Sequence, residues 1–542
     1  MKNKVLLALT MLTLFSFPAI NFAQAPVLGT VATFALFTSN GAVTNTGISQ
    51  VTGNVGTNAG SSTGFGNVNG VMHDGDGASA QCSVDLLFAY NQLNTTTATL
   101  AHAPLLGNGE VLVAGVYAIP SASTLNLDLI LDAQNDPNAV FIFQIQGSFS
   151  ANASSKIKLT NGALACNVFW KVEGLVSMAS GTTMRGTVIA NNAAIIMNTG
   201  DTLEGRALST NGAVTIDGVL VYTPTGCGSP VLNGPTAPSL GAAACYAIFS
   251  SDGAVSNSGV TYITGDVGSN NGSATGYNPS FVTGTIHTIP DGSTAQCAAD
   301  LLLAYNYVNT IPYDIELLYP AQFGNSLVLT PHTYLLNAAT TFTDTLYLNA
   351  EGNANAVFVI QINGALTTST YSNVVLINGA QAKNVYWKIE GAVSLNNYSV
   401  FCGTIICNNG ALAAVNTGVI LNGRSLTTTG ALTTTSINAV ASMIPTNCAT
   451  LSVSDIEGTN TAVTIYPNPF NSSMNIQLND AAQLNTCEIR IYNVLGAEVM
   501  NASITNQLTT METETLPSGI YFYKITNKTN TVIQSGKLIA QH

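Results

Sequence analysis

Thr199-Gly200-Asp201-Thr202 closes one short apolar run and opens the next, and 19 residues earlier Ser180-Gly181-Thr182-Thr183 does the same. The runs before these turns are Gly174-Leu-Val-Ser-Met178 and Ala193-Ala-Ile-Ile-Met197. Those after them are Met184-Arg185-Gly186-Thr-Val-Ile-Ala190 and Leu203-Glu204-Gly205-Arg-Ala-Leu-Ser209. All are short and alternate as strands do. The same frame fits Thr46-Gly47-Ile48-Ser49 and, more loosely, Ser121-Ala122-Ser123-Thr124. A period near 19 residues, made of β runs and glycine corners, predicts a solenoid whose rungs bury their inward residues only by stacking on their neighbours. With strands about 4.7 to 4.9 Å apart, Thr46, Ser49, Ser121, Thr124, Ser180, Thr183, Thr199 and Thr202 are expected to form one ladder of hydroxyls and methyls, with Thr182 beside them. A flat, uncharged grid of this kind suits a crystalline partner.

Two parts of the chain are copies. Phe37-Thr-Ser-Asn-Gly-Ala-Val-Thr-Asn-Thr-Gly47 returns as Phe249-Ser-Ser-Asp-Gly-Ala-Val-Ser-Asn-Ser-Gly259, and Asn167-Val-Phe-Trp-Lys-Val-Glu-Gly174 as Asn384-Val-Tyr-Trp-Lys-Ile-Glu-Gly391. The expected organisation is a signal segment over 1–25, repeat 1 over 26–227, a Pro/Gly linker over 228–241, repeat 2 over 242–448, and a separate domain over 451–542. Within each copy, Asp85-Leu-Leu-Phe-Ala-Tyr-Asn-Gln-Leu93 and Asp300-Leu-Leu-Leu-Ala-Tyr-Asn-Tyr-Val308 break the β pattern. Leu86, Tyr90 and Leu93 then share a helical stripe, with Asp85 near the N-terminal end. That helix is expected to lie along one side of the solenoid, which leaves the Thr ladder another side.

Met1 to Ala23 carries Lys2 and Lys4, an apolar stretch and small residues at Ala23-Gln24-Ala25, and reads as a secretory signal. No other stretch reaches the roughly 18 apolar residues of a membrane span. Charged residues are 8% of the chain, against about 25% in ordinary soluble proteins. The net charge of -13 argues against a nucleic acid partner, which would demand a basic stripe.

Nine cysteines in an exported chain permit disulfides, with the connectivity left open by the sequence. The five histidines are scattered, and neither a zinc spacing nor a Ser/His/Asp arrangement repeats in both copies. Asp128, Asp132 and Asp136 are the best candidates for the calcium cluster of a polysaccharide-active solenoid, but their counterparts are Thr345, Asn349 and Asn353. They read as turn chemistry. Lys171 with Glu173, and Lys388 with Glu390, read as ion pairs along a strand. No cofactor, metal or enzymatic activity is expected.

Taken together, Phe-x-x-x-Gly-Ala-Val-x-Asn-x-Gly, the following Thr-Gly-Asn-Val-Gly56 or Thr-Gly-Asp-Val-Gly268, the Asp-Leu-Leu-x-Ala-Tyr-Asn helix, Ala139-Val-Phe-Ile-Phe-Gln-Ile145, Asn-Val-Phe-Trp and the late Gly-Arg-x-Leu resemble the microbial ice-binding (antifreeze) protein family. The resemblance covers Leu28 to Cys227 and Ala243 to Cys448. It implies an all-β fold of two tandem right-handed discontinuous β-helices of triangular section, each with one long α-helix alongside, and an ice-binding face carrying Thr-(Ala/Gly)-x-(Thr/Asn). In the second copy that pattern selects Ser258, Thr261, Asn337, Thr340 and Thr417. Because Asn397-Tyr398-Ser399-Val400 and Thr417-Gly418-Val419-Ile420 depart from it, the first copy is expected to be the stronger binder.

After Cys448, Tyr466-Pro467-Asn468-Pro469-Phe470, Ile489-Arg-Ile-Tyr-Asn-Val-Leu-Gly496, Leu516-Pro-Ser-Gly-Ile-Tyr-Phe-Tyr-Lys-Ile525 and Gly536-Lys537-Leu538 resemble the C-terminal sorting domain of the type IX secretion system. That resemblance implies a β-sandwich that addresses the protein to the outside. The combined expectation is a monomeric, secreted or surface-attached protein whose partners are ice crystals and the secretion machinery. An adhesin and, behind it, a polysaccharide-active enzyme are the alternatives.

Overall fold

The computed structural model describes residues 23–227, 231–410, 412–445, 448, 463–479, 487–527 and 532–541, so the expected signal segment lies almost wholly outside the described residues. Two compact units divide the chain at Cys448.

In the first unit the strands of each repeat pair in parallel. In repeat 1 one ladder runs from Leu100–Ala101 through Gly115–Ile119, Phe141–Ile145 and Val168–Val172 to the C-terminal halves of Thr183–Ala190 and Thr202–Ser209. It continues into Phe34–Thr38, Asn54–Thr57 and Met72–Asp74. The N-terminal halves of the two long strands belong to a second ladder, with Lys156–Thr160, Asp128–Asp132 and Leu220–Tyr222. A separate eight-stranded sheet forms the third. Repeat 2 follows the same plan.

Strand order explains the helix. The chain enters beside its own last rung, since Phe37 pairs with Leu208, and Met72–Asp74 ends at one extreme of a nine-strand ladder whose other extreme is Leu100–Ala101. Eight steps of about 4.8 Å must be crossed, near 38 Å. Helix α1, Gly77–Thr95, covers about 28 Å of it.

Asp76 caps α1 and forms a capping box with Ser79, and Asp291 and Thr294 do the same for helix α2, Gly292–Thr310. Cys82, Leu86, Ala89 and Leu93 face inward at helical spacing and pack on Phe34, Phe37, Val116, Ile142, Phe169, Ile189 and Leu208. Asp85 is therefore mid-helix and not at its start. Its carboxylate accepts the backbone N–H and the hydroxyl of Thr30 at 2.8 and 2.7 Å, tying the 3-10 turn Gly29–Thr33 before the entering strand to the helix.

Inside repeat 1, successive rungs stack Tyr117 on Phe143 and Phe143 on Trp170, the latter pair with ring centroids 4.0 Å apart. The two repeats meet end to end. Asn69 donates to Thr330 Oγ1 at 3.1 Å and accepts the Tyr334 hydroxyl at 2.7 Å, all three residues being buried. Gln50 donates to the Asn325 carbonyl at 2.8 Å. Disulfides join Cys166 to Cys227 and Cys245 to Cys448.

The second unit holds a three-stranded sheet (Val463–Tyr466, Ser473–Leu478, Leu508–Glu512) and a four-stranded sheet (Glu498–Ile504, Cys487–Tyr492, Gly519–Asn527, Val532–Ala540), both antiparallel. Met474, Ile476, Ile489, Ile491 and Leu538 are among the residues of their shared core.

Candidate functional site

The turn pattern lies at the corner where the eight-stranded sheet passes to the second ladder. Ser180 to Thr182 follows Val176–Met178, and Thr199 to Asp201 follows Ile195–Met197. Gly181 and Gly200 have φ of +76° and +83°, a region open to glycine at little cost. In these two copies of the turn the third residue, Thr182 or Asp201, points inward, whereas Ile48 and Val260 at the same place in their turns are exposed. Asp201, 1% exposed, accepts the Thr182 N–H of the neighbouring rung and the Asn198 N–H, each at 2.8 Å. Burial pushes the Asp201 carboxyl above its ordinary range, against the pull of those N–H groups. The motif is therefore first a brace that fixes the corner.

The residues selected from sequence do not share one face. Thr182, Thr261 and Thr340 are buried. The Thr182 hydroxyl donates to the Ala179 carbonyl, and those of Ser49 and Thr261 donate to Asn45 and Asn257 at 2.6 Å, so Ser49, Thr182 and Thr261 serve the turns. Thr183 and Thr202 pair with each other on the second ladder. Ser121 and Asn337 occupy the opposite corner, where the helix-covered ladder enters the eight-stranded sheet, because four-residue Ser/Thr/Ala turns suit both corners. Ser180, Thr199 and Thr417 stay on the first corner. Thr46, Thr124 and Ser258 belong to strands of the eight-stranded sheets.

Those sheets carry what the turn pattern missed. Their strands bury the residues on either side of a single outward one, as in Val43-Thr44-Asn45, Val176-Ser177-Met178 and Phe149-Ser150-Ala151. In register, the outward column of repeat 1 reads Thr63, Thr44, Thr215, Ile196, Ser177, Ser150, Thr124, Leu105. In repeat 2 it reads Thr275, Ser256, Thr433 on one side of the strand Leu412–Val415, and Ser394, Thr367, Thr341 on the other. Part of the signal was present in the sequence, as the middle residue of apolar-x-apolar triplets such as Val176-Ser177-Met178, Val214-Thr215-Ile216 and Val393-Ser394-Leu395.

In repeat 1 charge separates the three sides. The strands of the two eight-stranded sheets contain one charged residue, Asp217, whose carboxylate accepts the hydroxyls of Thr46 and Thr199 at 3.0 and 2.8 Å. The second ladder of repeat 1 instead carries the ion pairs Lys158–Asp128 at 2.6 Å and Arg185–Glu204 at 3.5 Å. The remaining ladder lies under the helix. Charged groups hold their hydration strongly, so in repeat 1 the eight-stranded sheet is the open side whose water is least bound to ions. In repeat 2 the second-ladder strands are uncharged as well, and the eight-stranded side is marked by its in-register hydroxyls. Asp128, Asp132 and Asp136 do not converge: Asp128 pairs with Lys158, while Asp132 and Asp136 accept backbone N–H groups of their own turns.

The ice-binding-like family matches residues 37–222 and 249–440, the two regions that build these ladders. The chain belongs to the ice-binding-like family. An ice-binding protein of Nostoc sp. (strain HG1) is 37% identical over 219 residues, covering 40% of this chain and 80% of the relative. One from Flavobacterium frigoris (strain PS1) is 31% identical over 207 residues, covering 35% of this chain and 71% of that protein. The crystal structure of an ice-binding protein from an Antarctic bacterium of the Flavobacteriaceae superposes with a TM-score of 0.77 at 58% identity, covering 78% of this chain and 99% of that one. Residues 464–541 match the secretion system C-terminal sorting domain. The chain is accordingly that of a secreted or cell-surface protein, with a sorting domain of the type IX secretion system at its C-terminal side.

Proposed function

We propose that each repeat is a right-handed discontinuous β-helix of triangular section, and that the chain adsorbs to ice through the eight-stranded side of both. The observation that carries this reading is the in-register, uncharged hydroxyl column that recurs in the two repeats. Methyls and hydroxyls about 4.8 Å apart on a rigid sheet order water without ionic competition. Adsorbed molecules pin the ice front, and growth between them becomes curved and unfavourable, which also slows recrystallisation. A buried CH₂ contributes about 0.8 kcal/mol, so firm adsorption rests on many contacts made together by a preorganised surface. A protein retained at the cell surface would hold cells to ice by the same side, and the sorting domain favours that second reading.

Dye-labelled protein covering residues 26–448 is expected to coat a growing ice crystal. Thr215→Tyr with Thr433→Tyr should abolish coating, while Lys158→Tyr on the second ladder should not. An uncoated crystal with the unaltered protein would refute ice adsorption, and coating by the double variant would refute the assigned side.

A further inference from the structure

The sorting domain holds its most exposed apolar side chain in a fixed place. Leu495 is 89% exposed and Val494 67%, at the tip of the hairpin joining Cys487–Tyr492 to Glu498–Ile504. The tip is closed by Asn493, whose side-chain oxygen accepts the N–H groups of Leu495 and Ala497, each at 3.0 Å. Its backbone N–H donates to the Ala497 carbonyl, and its carbonyl accepts the Gly496 N–H. A loop held by four hydrogen bonds around a solvated leucine gains nothing for the core, since both apolar side chains stay in water.

The surface beside the tip continues the same chemistry. Tyr492 lies opposite Phe522 on the outer side of the four-stranded sheet, and Phe522 opposite Lys537. Phe522 and Ile520 are each about half exposed. Lys524, two residues from Phe522 on the same side, and Lys537 have no ion-pair partner among the described residues. An apolar knob thus stands at the end of an aromatic strip edged by two unpaired cations, in a chain of net charge -13.

We propose that this tip and strip are the contact read by the secretion machinery, whose receptor presents an apolar pocket for Leu495 with carboxylates at its rim for Lys524 and Lys537. The proposal rests on the match of residues 464–541 to a sorting domain. Buried apolar anchors dominate protein contacts, while rim charges steer encounter and orientation.

The test expresses the full-length chain in a type IX-competent host and measures the ratio of external to periplasmic protein. Leu495→Asn with Val494→Asn is expected to lower that ratio about tenfold, the effect of losing one anchor of roughly 1.4 kcal/mol. Lys524→Glu with Lys537→Glu should lower it as well, and Lys→Arg at both should restore it. Retained protein should still coat ice, and the altered domain should keep its β circular-dichroism spectrum. Unchanged export of the tip variant overturns the proposal. So does a tip variant that alters only the self-association of the purified chain, because the strip would then serve a second copy. Removal of residues 451–542 is the reference: export without that domain would overturn its sorting role itself, separately from the tip.

Discussion

Asp201 takes the backbone N–H of Thr182 from the neighbouring rung at 2.8 Å, so a side chain in one turn completes the hydrogen bonding of the next. With the Asn198 N–H also on this carboxylate, Asp201→Ala leaves the buried Thr182 N–H and the half-buried Asn198 N–H without this partner. The expected cost is about 2 kcal/mol, measured by urea unfolding of residues 26–448. Hysteresis should fall only at temperatures where the corner is loosened.

The outward column of repeat 1 is interrupted at Ile196 and Leu105, and that of repeat 2 at the strand Leu412–Val415, where Ser394 lies opposite Ala414 and the register shifts. The turns on which the expected ranking of the two copies rests, Asn397 to Val400 and Thr417 to Ile420, lead into the second ladder and not onto the eight-stranded sheet. In the intact tandem, Thr433→Tyr and Thr215→Tyr are therefore expected to reduce freezing hysteresis to a similar extent, at equal molar concentration and with melting temperatures unchanged. A loss confined to one of the two variants would show that only that repeat engages ice through this side.

Filling the gap supplies the converse. Ile196→Thr restores a hydroxyl between Thr215 and Ser177 on a half-exposed position, so stability should change by less than about 1 kcal/mol. Hysteresis should rise, and a loss would mean that apolar area at this rung matters more than the hydroxyl.

How far the residues alone led can be judged from particular elements. The corner glycines, the two copies and the helix were legible because each imposes a local pattern. Thr182 was misassigned because a four-residue turn does not reveal which of its residues points inward; that is decided by the carboxylate of Asp201 on another rung. Ser121 and Asn337 fit the pattern at the wrong corner for the same reason. The start of α1 was missed because Gly77-Ala-Ser79-Ala80 lacks an apolar stripe, and the cap on Asp76 defines it instead. Cys166–Cys227 and Cys245–Cys448 join residues whose proximity depends on the completed stack.

Acid should loosen the helix before the ladders. Burial opposes the charge on Asp76, but the Ser79 N–H, His73 and the Ser79 hydroxyl outweigh it and hold the carboxyl at about 2 against an ordinary 3.8. A depressed carboxyl contributes stability above its unfolded value and loses it as pH falls through the folded one. Thermal midpoints are therefore expected to hold down to about pH 4 and fall between 4 and 2. Asp76→Asn, which keeps a capping side chain, should flatten that decline. An acid limb of unchanged steepness would place the sensitivity elsewhere.

The disulfides permit an independent check on repeat 2. Cys245–Cys448 closes a span of 203 residues, and loss of such a link costs about 2 to 5 kcal/mol. Cys245→Ser with Cys448→Ser should split one calorimetric transition of residues 26–448 into two, with repeat 2 melting first.

The entry of each repeat beside its own last rung sets the order in which the chain can finish. Phe37 must wait for Leu208, and Ile248 for Ser425, so closure joins residues more than a hundred positions apart and proceeds slowly, as high contact order requires. Until Thr202–Ser209 has emerged, the strand Phe34–Thr38 has no ladder to join at its inner edge. A ribosome delivering repeat 1 from its N-terminus therefore releases an unfinished stack until the last rung has been made.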